Sequence, residues 1–194
     1  MPYTPRLSEY SPTYLGPTTD YPQGNPWYYS NGNTYYSYGS GLPNCTAYCF
    51  GRTAEILGAF TYDLPQYNDA GEWYDWVRAR NTFPTGSVPK LGAIACWYDP
   101  QGIYAGHVAT VEEIGGTGIV TFSQSGWLNR PLPDFTFNFW LSYTDASTDY
   151  MELWAINRGY RLKGFIYVYD EPTPPSPTPT RSKLPIWMML RYGF

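Results

Sequence analysis

Asn44-Cys45-Thr46-Ala47-Tyr48-Cys49-Phe50-Gly51-Arg52 opens the first segment of this chain that reads clearly as helix. Pro43 discourages helix before it, Asn44 is a favourable N-cap, and Gly58 is a natural stop after Leu57. Cys45 then falls in the first turn, where unpaired backbone N–H groups and the positive end of the helix dipole favour an anion. A thiolate is such an anion, so the position is expected to lower the thiol pKa and suits a nucleophile. The same residue can equally be a small buried hydrophobe, the commoner state of a free cysteine.

Upstream, residues 1–42 carry proline at 2, 5, 12, 17, 22 and 26 among many tyrosines, which argues against helix and against a central strand. This stretch reads as an N-terminal arm laid over the domain by its aromatics, or as a docking segment for a partner. Downstream, Trp73, Trp76, Val77 and Arg80 fall at helical spacing and predict a second helix from Glu72 to Arg80, its tryptophans in the core. From Leu91 the pattern turns to strand. Ala93-Ile94-Ala95-Cys96-Trp97-Tyr98 is a short apolar run bounded by Gly92 and Asp99-Pro100.

His107–Ile114 and Gly118–Gln124 then read as the two arms of a hairpin around Gly115-Gly116. A two-residue turn sets Val111 opposite Val120, Ala109 opposite Phe122 and His107 opposite Gln124. A four-residue turn keeps the same faces and makes Gln124 a diagonal neighbour of His107. Either way the chain's one histidine lies beside a side chain able to accept its ring N–H. The aromatic-rich residues 127–158 read as a lid or groove wall, or as an extra hairpin covering the sheet. Gly164–Tyr169 reads as the last strand. Residues 171–183 form a Pro-rich, semi-rigid linker, and 184–194 an apolar tip expected to dock on something.

Composition narrows the function. The 194 residues suffice for one domain, here expected over 43–170, plus arms. A net charge of -4 and no basic run argue against a nucleic-acid partner. No apolar stretch is long enough to span a membrane, and Met1-Pro2-Tyr3-Thr4-Pro5-Arg6 lacks the features of a signal peptide. Three cysteines make no disulfide framework, Cys45 and Cys49 cannot bridge within one helix, and one histidine precludes the common Cys/His zinc spacings.

Three segments in order carry a resemblance: Asn44-Cys45-Thr46-Ala47-Tyr48, then Pro89-Lys90-Leu91-Gly92-Ala93-Ile94-Ala95-Cys96-Trp97, then Tyr104-Ala105-Gly106-His107-Val108-Ala109-Thr110-Val111-Glu112. In residue type and spacing they resemble the CHAP family, the cysteine/histidine-dependent amidohydrolases and peptidases. The resemblance implies a papain-like α+β fold with N-terminal helices packed on a small antiparallel sheet. It implies Cys45 as nucleophile and His107 as base, with the Cys45 backbone N–H and Asn44 as oxyanion donors. The family's usual Glu and Asn on the next strand are replaced here by Gln124 and Gly126. Gln124 is then expected to orient the imidazole, stabilising imidazolium less than a carboxylate would. Trp127, just beyond, is the expected substrate contact. Residues 34–43 hold no Asp or Glu, so no calcium site, and no other metal or cofactor, is expected there.

By the same resemblance the partner is bacterial peptidoglycan, cut as an amidase or endopeptidase. The setting would be a bacteriophage lysin, virion-associated or released from the host cytoplasm as an endolysin, with the tip as a contact for other virion proteins. The alternative is a non-catalytic virion or wall-binding protein on a degenerate scaffold of the same family.

Overall fold

Helix α3 (Cys45–Leu57) packs against two short helices that precede it, α1 (Pro26–Tyr29) and α2 (Thr34–Ser37), and against the sheet; α4 (Trp73–Arg80) follows a 3-10 turn at Ala70–Glu72. The computed structural model describes residues 3–116, 118–126, 139–145 and 159–170. Six strands follow in sequence: β1 (Thr85–Gly86), β2 (Ile94–Tyr98), β3 (His107–Ile114), β4 (Ile119–Ser125), β5 (Phe139–Asp145) and β6 (Arg161–Ile166). Among the described residues they form one antiparallel sheet in the order β1-β6-β2-β3-β4-β5. This is an α+β fold, helices on an antiparallel sheet. Trp127, the linker 171–183 and the tip 184–194 lie outside the described residues.

The bounds of α3 follow its caps. The Asn44 side chain accepts from the backbone N–H groups of Thr46 and Ala47, and Gly58 closes the other end in the left-handed region at φ 72°. The proline-rich arm, expected to exclude helix, holds two single turns instead. Asn25 and Asn33 cap them, and Pro26 occupies the first helical position, where its missing N–H costs nothing. Leu15, Tyr28 and Tyr35 of the arm are buried in the same cluster as Tyr48, Cys49 and Phe50 of α3 and Trp73 and Val77 of α4.

Strand alternation gives the sheet two apolar faces. Ile94, Cys96, Val108 and Ile166 pack toward the helices. Trp97, Ala109, Val111, Val120, Phe122 and Phe165 form a second cluster. The hairpin register corrects the two-residue turn: Val111 pairs with Phe122 and Thr110 with Ser123. Where the chain reverses, Gly115 N–H donates to Ile119 O at 2.8 Å and Gly118 N–H to Gly115 O at 2.9 Å. A bulge between Val111 and Glu113 shifts the pairing near the turn to Ile114 with Val120. The last strand begins at Arg161, earlier than the apolar run suggested. Its extent is set by pairing with β2, from Tyr98–Arg161 to Ile94–Ile166, and Tyr167 N–H turns away to Pro84 O at 2.9 Å.

Candidate active site

Cys45 is the first residue of α3, half-buried at the helix end. Its placement against the sheet follows from strand geometry. Val111 N–H donates to Ala93 O on the β2 side, so by alternation the N–H of Val108 points toward β4. The printed β3–β4 pairing reaches Thr110–Ser123 and goes no further toward the start of β3. The end of α3 fills the space beyond. The backbone N–H groups of Val108, Thr46 and Cys45 itself lie near enough to the Cys45 sulfur to favour its thiolate form. Gly126, one residue past β4, lies so close that a Cβ there would stand 3.2 Å from Asn44 Cα and 3.2 Å from Cys45 N. At φ 75° and with that clearance, the position the family usually fills with Asn has little room for a side chain here.

His107 is the first residue of β3 and 2% exposed. The turn before it depends on Gly106, where a Cβ would lie 2.5 Å from Trp97 O and 2.6 Å from Gly71 N. His107 Nε2 lies 2.7 Å from Gln124 Oε1, and its ring packs 6.0 Å from that of Trp97. Since an amide oxygen only accepts, Nε2 carries the ring proton in this pair. When the imidazole is neutral, its lone pair is then on Nδ1. The sulfur and the imidazole thus meet the same backbone segment, the ring on residue 107 and the sulfur at the N–H of residue 108.

Electrostatics correct one expectation. Burial pushes the Cys45 thiol up to about 11, against the pull of the Val108, Thr46 and Cys45 N–H groups, and the Asp69 carboxylate adds to the rise. The helix end acts in the expected direction but loses to desolvation. At neutral pH the resting sulfur is therefore a thiol, and its use as a nucleophile requires a base. The other two cysteines are buried, and burial raises both thiols. Cys49 accepts from Thr110 Oγ1 at 3.7 Å inside the core.

Asn44 is committed as a cap: Oδ1 accepts from Thr46 N at 2.9 Å, Ala47 N at 3.0 Å and Thr46 Oγ1 at 2.5 Å. Only its Nδ2 remains a possible oxyanion donor. Next to the sulfur is a cavity of 140 Å³ lined by Tyr35, Asn44, Cys45, Tyr67, Asp69 and Ala105, among others. Tyr35 is held there by Trp73, whose Nε1 donates to its hydroxyl at 3.0 Å. Asp69 escaped the sequence reading because it sits in a loop with no motif around it. Among the described residues no group of His, Cys, Asp and Glu gathers as a metal site.

A second polar centre lies beneath the site. Glu112 on β3 is fully buried and takes Arg52 Nη2 and Nε of α3, both at 2.9 Å, Ser123 Oγ at 2.5 Å and the Arg6 N–H at 2.7 Å. Arg6 and Arg52 both pair with Glu55. The only hint in the sequence was that Glu112 shares the period-two face of Val108 and Thr110, and polar residues there look like solvent positions.

Residues 31–126 match the family model of the CHAP domain. This stretch belongs to the CHAP family. No curated protein matches the chain. Among solved structures it is similar to an N-acetylmuramoyl-L-alanine amidase from Staphylococcus aureus, with 21% identity over 65% of this chain, a TM-score of 0.42, and 32% of that chain covered. The chain thus spans about a third of that protein's length. The matched CHAP segment contains Cys45, His107, Gln124 and Asp69, and ends at Gly126, the residue packed against the Cys45 helix end.

Proposed function

We propose that this CHAP domain is a cysteine-dependent peptidoglycan hydrolase, cutting an amide bond as an amidase or endopeptidase. The observation that carries the reading is the convergence on β3 of a helix-end cysteine and a histidine oriented by Gln124 at 2.7 Å. With Nε2 engaged by Gln124, the imidazole works through Nδ1. As the sulfur attacks the amide carbon, Nδ1 takes the thiol proton, and the oxygen gains charge near the Cys45 N–H. Nδ1 returns the proton to the leaving amine as the C–N bond breaks, leaving a thioester. Water then attacks the thioester carbon, losing a proton to Nδ1, which passes it back to the departing sulfur. A thiol held up near 11 and a neutral amide behind the imidazole favour proton transfer during attack over a resting ion pair.

A non-catalytic wall-binding protein draws on the same two facts, the neutral Gln124 and the raised thiol. Zymography on Gram-positive walls separates the readings. A clearing zone lost in Cys45→Ala supports the hydrolase, and identical behaviour of both proteins supports the binder. As setting we propose a bacteriophage lysin, virion-associated or endolysin, on the motif resemblance alone; mass spectrometry of purified particles tests the virion arm.

A further inference from the structure

The cavity beside Cys45 has an unusual charge pattern. Of the side chains lining it, Asp69 is the one carboxylate and no Lys, Arg or His is present; the others are Tyr, Ser, Asn, Thr, Ala and the Cys45 thiol. Asp69 is exposed and occupies the N-cap position of the 3-10 turn, yet its carboxylate makes no capping hydrogen bond. No Lys or Arg pairs with it among the described residues. Two residues away, Tyr67 is 61% exposed and meets Tyr38, 67% exposed, with ring centroids 4.3 Å apart at 75°. A carboxylate without a cation beside an exposed tyrosine ring is the chemistry that holds an ammonium group.

We propose that Asp69, with Tyr67, is a specificity subsite for a free ammonium group carried by the substrate close to the bond that Cys45 attacks. This deepens the hydrolase reading and rests on it for the identity of the substrate: a peptide with an unblocked amine, at its N-terminus or on a diamino-acid side chain. The subsite also joins recognition to chemistry. Asp69 opposes ionisation of Cys45, and an ammonium docked on Asp69 offsets that opposition at the moment the substrate arrives.

Binding tests this apart from turnover. Cys45→Ala protein is titrated at low salt with soluble muropeptides from a Gram-positive wall, one batch native and one with its free amines acetylated. The native batch is expected to bind roughly fivefold more tightly, a preference that weakens with added salt. Adding Asp69→Asn should abolish the preference, and because the carboxylate caps nothing, the fold should be retained by near-UV circular dichroism. Equal affinity for both batches, a preference that survives Asp69→Asn, or no binding of either batch overturns the subsite. Hydrolysis by the wild-type protein is scored separately. Loss of turnover with the preference intact would remove the hydrolase and leave the ammonium site, and turnover without preference would do the reverse.

Discussion

At the scale of the residue, the chemistry turns on what stands behind His107. Gln124 fixes the tautomer of the ring but brings no charge to favour imidazolium. Replacing it by Glu should support the cation and so the thiolate. The midpoint of Cys45 alkylation against pH, read by mass spectrometry of the labelled peptide, should begin well above the ordinary thiol value. In Gln124→Glu it should fall by about one unit or more. An unchanged midpoint would mean that imidazole and sulfur are not coupled. Cys49 and Cys96, both buried, should stay unlabelled in the folded protein and serve as internal controls. The contact between His107 and Gln124 was legible because Gln124 fell within reach of the histidine in either hairpin register. Asp69 and the close packing of Gly126 on the helix end were not. Both depend on how separate loops meet in space, and sequence spacing carries no signal for that.

At the scale of the element, Glu112 joins three pieces of chain: the arm through Arg6, α3 through Arg52, and β4 through Ser123. Glu112→Ala leaves Arg52 in the core without that carboxylate, and urea unfolding should report a loss of about 3–5 kcal/mol. Glu112→Gln, which keeps shape and part of the hydrogen bonding, should cost less. A loss under about 1 kcal/mol for Glu112→Ala would show that water or Glu55 takes over the charge. The elements differ in how local the signals that specify them are. Helix α3 announced itself through Pro43, Asn44 and Gly58, which act locally. The arm's two single turns did not, since each depends on an Asn cap and on packing against α3 more than on propensity. The hairpin's faces were legible from alternation, while its register waited on the turn length and on a bulge that no residue pattern marks.

At the scale of the whole molecule, burial of tyrosines and thiols ties stability to pH. Tyr3, Tyr28, Tyr35 and Tyr48 titrate above their ordinary value through burial, and so do Cys49 and Cys96. Each therefore loses its proton earlier in the unfolded chain than in the native one. The associated stability is fully present below about pH 8.5 and is lost as pH rises through and beyond 10. Glu55 acts at the other end. Burial opposes its ionisation, but Arg6 and Arg52 hold it below the usual carboxylate range, so its contribution is lost as pH falls below about 4.5. The unfolding temperature should form a plateau between about pH 5 and 8.5 and fall on both sides; an unfolding temperature still level at pH 10.5 would contradict this. The claim on which the rest depends is that Cys45 cleaves an amide of the cell wall. Purified peptidoglycan is incubated with wild-type and Cys45→Ala protein, and the released fragments are examined by mass spectrometry. The account predicts one new type of amine terminus, matched by one new carboxyl, from the wild type and none from the variant. The same termini from both proteins, or none from either, would contradict it.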